Sequence, residues 1–443
     1  MNNQFFLVRS SIFAVVCCLL VLTPHQLIAK ETALMSSAPP LASKKPISSN
    51  QQWAKWILSQ VETLPSLKAM ESGTLVANEQ RNAMRQPLFN PELGAFYTDK
   101  DDEEYGVIVS QKIDWFDKRS AKAQLGQVDY ELVSLSKVLQ TENKLSDALL
   151  AYIEYSMAKQ LLAIAKKQET LLTQLASDLK LREDAGDVGR SDAEMAYLSL
   201  LQNLQQISLT EIRYRKAQAN LKKTLNSHSI SFYPDSSVWI NSLDKIDISN
   251  YFEKGLTIQV AKKELEQSIS QAKIAHLNKK VNPTIGVGAG RDGRDNTILF
   301  EISIPLNVRN NYSSEYRASL EKVNQTEFEL KEEQRLLKNE IQLTLNNYEQ
   351  LKQRVLSWQK LTSSRLKASQ KLLDKQWRSG DITTSDHLFS LRQRTDTLIA
   401  DIELTAEMQK AWIEWLLSTS QVRAWLKNLS LITEQVKPIL HRV

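Results

Sequence analysis

The chain has 443 residues, of which twelve Gly and eleven Pro make up about 5%, against the ~12% of average usage. Its 24% of charged residues and mean hydropathy of −0.35 exclude a polytopic helical membrane protein, and 42% hydrophobic residues with nine Trp exclude a disordered chain. A formal charge of +5, or +4 without Arg9, is too small and too evenly spread to point to nucleic acid. Punctuation this sparse implies long uninterrupted segments, and at this length those are helices.

Residues 1–29 read as a signal peptide. Residues 1–9 end in a positive charge, and residues 12–22 form an apolar run too short to span a bilayer but suited to a signal core. Cleavage is expected after Ala29, with a retained signal anchor as the alternative. Cys17 and Cys18, the only cysteines, lie inside this run. The mature chain then has none, which excludes disulfides, iron–sulfur clusters and thiol catalysis. Neither sits behind a small-residue lipidation box, so no lipid anchor is expected.

The remainder says the same thing twice. Asn90-Pro91 returns as Asn282-Pro283, and Gly186-Asp-Val-Gly-Arg-Ser-Asp192 returns as Gly380-Asp-Ile-Thr-Thr-Ser-Asp386. The expected copies are residues 30–245, with strands at about 88–115 and a helical hairpin at about 119–226, and residues 246–443, with strands at about 284–306 and a hairpin at about 315–428. Each copy opens with a helical lead-in, over 65–85 and 258–280. Two β-like segments follow: 88–98 and 105–115, split by the acidic loop Lys100-Asp-Asp-Glu-Glu104, then 284–291 and 297–306, split by Asp292-Gly-Arg-Asp-Asn296. Ile298, Phe300, Ile302 and Ile304 alternate with Leu299, Glu301 and Ser303. Ile285, Val287 and Ala289 alternate with Gly286, Gly288 and Gly290, giving one apolar face and one face almost without side chains.

After the strands, no Gly or Pro occurs over 127–185 or over 306–379. Apolar residues recur there at steps of three and four: Leu145, Leu149 and Tyr152, then Leu171, Leu175 and Leu179, and in the second copy Leu337, Ile341, Leu345, Tyr348, Val355 and Trp358. Such a narrow stripe marks coiled-coil seams on long helices. Return helices are expected over 192–226 and 385–428. Between them, Gly186 and Gly380 suit the left-handed position that ends a helix. Ser191-Asp-Ala-Glu194 reads as a capping box, with Ser385-Asp386 supplying equivalent acceptors.

Strands of about ten residues match the ~9–11 that cross a bilayer at a tilt. Four strands cannot close a barrel, and an open sheet leaves edges unpaired in lipid. Copies from several chains can close it together, and three give twelve strands. The duplicated layout, the Asn-Pro strand openings, Gln111-Lys-Ile-Asp-Trp-Phe116, Ser303-Ile-Pro-Leu306 and the two Gly-x5-Asp turns carry a family resemblance. The chain resembles the TolC-like outer-membrane efflux proteins over nearly the whole mature sequence, and most of all their heavy-metal cation (CzcC-like) branch. Many relatives in that branch carry a lipid-anchoring Cys, which is lacking here.

The resemblance implies a mainly α fold with a small β part, namely a homotrimer with a 12-stranded β-barrel in the outer membrane on an α-helical coiled-coil tunnel in the periplasm. It implies an exit duct for metal cations or drugs, joined by a periplasmic adaptor to an inner-membrane resistance-nodulation-division pump, and no enzyme activity. Gly186, Asp187, Asp192 and Gly380 would lie at the periplasmic tip that meets the adaptor. Asp381 and Asp386 would be candidates for an acidic ring at the aperture, with Asp386 as a simple N-cap the competing role. Ile298, Phe300, Ile302 and Ile304 would face lipid. The exit of a type I protein secretion system and a poreless periplasmic scaffold are the alternatives. No catalytic or cofactor site presents itself. His228, His276, His387 and His441 are scattered without metal-ligand spacing, and His387 reads as a surface residue of a helix start. Gly286 to Gly290 lacks the spacing of a dinucleotide fingerprint and belongs to a strand. Trp53 and Trp56 fit either a tunnel's equator or a membrane interface.

Overall fold

The computed structural model describes residues 49–99, 103–225, 230, 232–241 and 248–431. The expected signal peptide and residues 100–102 of the acidic loop lie outside them.

Two prolines place one end of the sheet. Strand β1 (Glu92–Asp99) begins directly after Pro91 and β3 (Thr284–Asp292) directly after Pro283, because a residue without an N–H cannot donate to a ladder. Strands β2 (Glu103–Lys112) and β4 (Asp295–Ser303) are cut to match, since Lys112 and Ser303 both pair with Thr284. The strands therefore stop short of residues 88, 115 and 306, where the alternation had suggested they would run. The sheet is antiparallel in the order β1-β2-β3-β4. At its other end Glu103 and Glu104 belong to β2 and not to a loop. There β3 passes into β4 through Gly293-Arg294, with Gly293 at φ +53°, the positive dihedral that a two-residue hairpin demands.

Helices α2 (Pro65–Met84) and α6 (Leu256–Asn278), the latter preceded by the short α5 (Ile248–Lys254), lead into the strands, and α3 (Lys118–Asp184) and α7 (Ser313–Arg378) lead out. The 67 and 66 residues of α3 and α7 extend roughly 100 Å each at the helical rise. Each starts behind a non-glycine residue in the left-handed region, Asp117 at φ 52° and Tyr312 at φ 57°, where the chain bends from strand to helix. The return helices α4 (Arg190–Leu225) and α8 (Thr384–Ser418) have only 36 and 35 residues. Each long helix therefore spans two shorter ones of its own half: α3 packs on α2 and α4, and α7 on α6 and α8. Contacts of α3 with α6 and α8 join the two halves.

The seams follow the three–four spacing. Leu145, Leu149, Tyr152, Leu175 and Leu179 are buried on α3, and Leu337, Ile341, Tyr348 and Val355 on α7. At one point the stripe drifts: Leu172 is buried and Leu171 exposed. A helix of 3.6 residues per turn slides off a strict three–four alternation over this length.

Midway along α3, helix α1 (Ser49–Glu62) and helix α9 (Val422–Leu431) close an aromatic core with a 3₁₀ turn (Ser236–Trp239). Trp53 is fully buried there, its ring meeting those of Tyr152, Trp239 and Trp425 at 5.4, 5.5 and 6.0 Å, so its place is the protein interior and not a membrane interface. Trp56 packs on the same cluster. The Tyr348 hydroxyl donates toward the carbonyls of Trp239 and Asn241 and accepts from the Asn241 N–H at 2.8 Å, and burial pushes its pKa up to about 12.

The last return helix does not run to residue 428. Ser420 takes a left-handed φ of 57°, its N–H bonds Leu417 O, and the N–H of Gln421 bonds Leu416 O at 2.7 Å, which ends α8 and redirects the chain. The restarted helix α9 is capped from afar. The carboxylate of Glu142, buried on α3, accepts the N–H of Arg423 at 3.1 Å. Burial raises the Glu142 pKa, opposed by the backbone N–H groups of Arg423 and Val422. The folded chain thus holds this proton more tightly than the unfolded chain does. Its contribution favours folding in acid and is lost as pH rises through the raised value. Glu142→Gln is expected to flatten that part of the stability–pH profile, measured by chemical unfolding across the weakly acidic range, and an unchanged slope would contradict the assignment.

Candidate functional site

Two regions carry features that the fold itself does not need. The first is the sheet. Pairing aligns Leu93, Val109, Val287 and Phe300 in one row, and Ala95, Val107, Ala289 and Ile298 in the next. With Ile285 and Ile302, these rows form a continuous apolar face. Phe300 is 76% exposed, Ile302 74% and Ile298 73%, values opposite to those of a core. Ile304 is also exposed but lies past the last residue of β4.

The other face is built around glycine. A Cβ on Gly106 would stand 2.6 Å from Phe96 Cζ and 2.7 Å from Ala289 O, and one on Gly288 would stand 2.7 Å from Val107 O. Phe96 and Ile108 thus lie flat over the glycine rows. Strands β1 and β4 are the outermost of the sheet among the described residues, so each presents one unpaired edge.

The second region is the pair of helix turns. Gly186 has φ +80° and Gly380 φ +81°. In each turn the glycine N–H bonds a carbonyl three residues back, Glu183 or Trp377. The following aspartate's N–H bonds one five residues back, Asp187 to Arg182 and Asp381 to Gln376, both at 2.9 Å. These paired bonds satisfy helix-end carbonyls only if the glycine is left-handed. The exits differ. Thr383 is the N-cap of α8: its hydroxyl accepts the Asp386 N–H at 3.1 Å and donates to Asp386 Oδ2 at 2.7 Å. The cap is therefore Thr383, two residues before Ser385. In the first turn the corresponding residue is Gly189, α4 already begins at Arg190, and Ser191 falls inside the helix. Asp192 sits in that first turn of α4. The Asp381 carboxylate accepts from Ser379 Oγ at 2.7 Å, and Asp187, Asp381 and Asp386 are all exposed.

The two turns are linked by a stack that the sequence did not reveal. The Trp377 ring lies parallel to His387 at 4.8 Å, and the Arg182 guanidinium covers Trp377 at 4.9 Å. His387 is buried, not a surface residue, because Trp377 and the apolar cluster containing Leu179 and Leu388 enclose it. Further back, Arg213 bridges Glu154 and Glu403 while Lys410 bridges Glu154 and Glu407, holding α8 against α3 and α4. Among the described residues no His, Cys, Asp and Glu cluster could hold a metal, and no helix is long and apolar enough to cross a membrane.

This layout is the fold of outer-membrane channels. It is similar to that of the CmeC outer membrane channel of Campylobacter jejuni, at 12% identity over 92% of this chain and 98% of that one, with a TM-score of 0.69. It is similar also to the outer-membrane channel OprN (13% identity, 85% and 92% covered, TM-score 0.71) and to CusC, which forms a transmembrane channel (14% identity, 83% and 92% covered, TM-score 0.68). No protein-family model matches the chain, and no curated protein does.

A Cβ added to Gly380 would meet nothing within 4 Å, so only backbone handedness is at stake in that turn. Gly380→Val should cost about 1–2 kcal/mol locally, and Gly380→Asn, which tolerates the left-handed region, clearly less. Hydrogen exchange of the amides over 376–387 reads the difference. It should speed up for Val and stay near wild type for Asn, whereas equal rates would count against the left-handed requirement.

Proposed function

We propose that the chain is one protomer of an outer-membrane exit duct for efflux, in which three copies close a 12-stranded barrel and their helical hairpins build a periplasmic tunnel. The observation that carries this reading is the exposed apolar face of an open sheet with two unpaired edges. In lipid such edges are tolerable only when neighbouring strands complete them, and an apolar outer face is what a membrane solvates. Helices of roughly 100 Å supply the tunnel wall. Exposed apolar residues on α4 (Met195, Leu198, Leu201) and α7 (Phe328, Leu343, Leu361) supply surface for further copies. The likeness in fold to outer-membrane channels supports the same reading.

In this duct Ile298, Phe300 and Ile302 face lipid, and Ile304 reaches the membrane boundary. Gly186, Asp187, Asp192 and Gly380 form the tip that meets a periplasmic adaptor, beyond which an inner-membrane resistance-nodulation-division pump supplies metal cations or drugs. Asp381 and Asp386, exposed on the second turn, are the candidate aperture ring. Three-fold symmetry would bring their carboxylates together, favouring cations and opposing closure when all are ionised.

Planar-bilayer recording tests the duct and the ring together. The purified chain should require detergent and give discrete conductance steps, and a protein that stays soluble without detergent and conducts nothing would sink the duct. Asp381→Ala or Asp386→Ala should raise resting conductance or weaken cation selectivity. Unchanged values in both single variants and the double would remove the ring while leaving the duct intact.

A further inference from the structure

The two ends of the sheet carry opposite charge. Asp99, Glu103, Glu104, Asp292 and Asp295 outnumber Arg291 and Arg294 at the hairpin end. At the helical end, Lys118, Arg119 and Lys122 on α3 meet Lys279 and Lys280 behind α6, with Lys118 Nζ donating to Lys280 O at 2.7 Å. The nearby carboxylates are already engaged. Asp114 accepts the N–H groups of Lys118 and Arg119 at 3.0 and 2.8 Å, and Asp117 accepts from Ser120 Oγ at 2.6 Å. Aromatic rings lie among the cations: Phe116 beneath Lys280 at 5.0 Å, Tyr316 beneath Lys279 at 5.2 Å, and exposed Trp115.

Beside this collar is a cleft of about 220 Å³. Leu88, Phe89, Ile274 and Leu277 form its apolar walls, and Lys118 and Lys122 stand at it. A second hollow of about 450 Å³, with Ala83, Met84 and Pro87 in its lining, shares Leu88 and Lys122. A free inorganic anion needs cations alone. Four apolar walls next to two ammonium groups suit a molecule with both a phosphate and a hydrocarbon tail.

We infer that this strand-to-helix junction binds an anionic phospholipid of the leaflet facing the helices, its phosphate on Lys118 and Lys122 and an acyl chain on Leu88, Phe89, Ile274 and Leu277. The inference rests on the membrane-duct reading, which brings this end of the sheet to a lipid–water boundary. There, cations attract anionic headgroups and aromatic side chains anchor at the interface.

The full chain is assembled into nanodiscs of phosphatidylethanolamine mixed with phosphatidylglycerol, and retained lipid is counted by native mass spectrometry. Phosphatidylglycerol should be retained in preference. In the Lys118→Gln/Lys122→Gln variant the preference should fall roughly thirtyfold, the weight of two lysines close to an anionic surface. Leu277→Asn should weaken retention without altering charge. Equal retention of the two lipids, or an unchanged preference in the lysine variant, overturns the inference while the duct stands. Displacement of the lipid by inorganic phosphate with no effect of Leu277→Asn overturns it in favour of a simple anion site. A chain that does not enter the nanodisc overturns the duct reading, and this inference with it.

Discussion

Backbone hydrogen bonding constrains this chain more than any side-chain contact. Pro91 and Pro283 withhold the donors that would extend the ladder, so β2, β3 and β4 stop at a common line and β1 two residues inside it. At the far ends of α3 and α7, orphan carbonyls are satisfied only because Gly186 and Gly380 turn left-handed. Between these limits the outer edges of β1 and β4 remain unpaired in one chain, and the requirement that they be completed is what makes assembly with other copies the natural reading. The long helices, the tip and the collar of lysines take their positions from where the strands stop and the turns occur.

Much of this was legible in the sequence because the signals were local. Period-two alternation from Ile298 to Ile302 marked an apolar face, and the exposed rows of Leu93, Val107, Val287 and Phe300 are that face continued across the sheet. Long stretches without Gly or Pro gave α3 and α7, and the three–four spacing gave their buried seams. The turn glycines were readable because few other residues tolerate that dihedral.

What escaped was non-local. Nothing in the neighbourhood of Trp53 says that Trp239 and Trp425, distant in sequence, will enclose it. Nor does anything near His387 predict that Trp377 will lie parallel to it under Arg182 from the other hairpin. The break at Ser420 was invisible because a serine can adopt the left-handed conformation without advertising it, and the strong apolar pattern on both sides suggested one continuous helix. Its stabilising partner, Glu142, lies 281 residues from Arg423. The cap at Thr383 was displaced by two residues because Ser385 and Asp386 carry the same kind of oxygen.

The glycine rows have a consequence for width. With Gly94, Gly106, Gly286, Gly288 and Gly290 bare, relief on that face comes from a few larger side chains, among them Phe96, Ile108, Leu299 and Glu301. In a closed cylinder, the bore would be set by a few bulky groups resting on a smooth wall. Trimming or enlarging one of them would then alter the calibre of such a passage without touching the alternate positions on the opposite, apolar face, so width and outer surface would be free to vary independently.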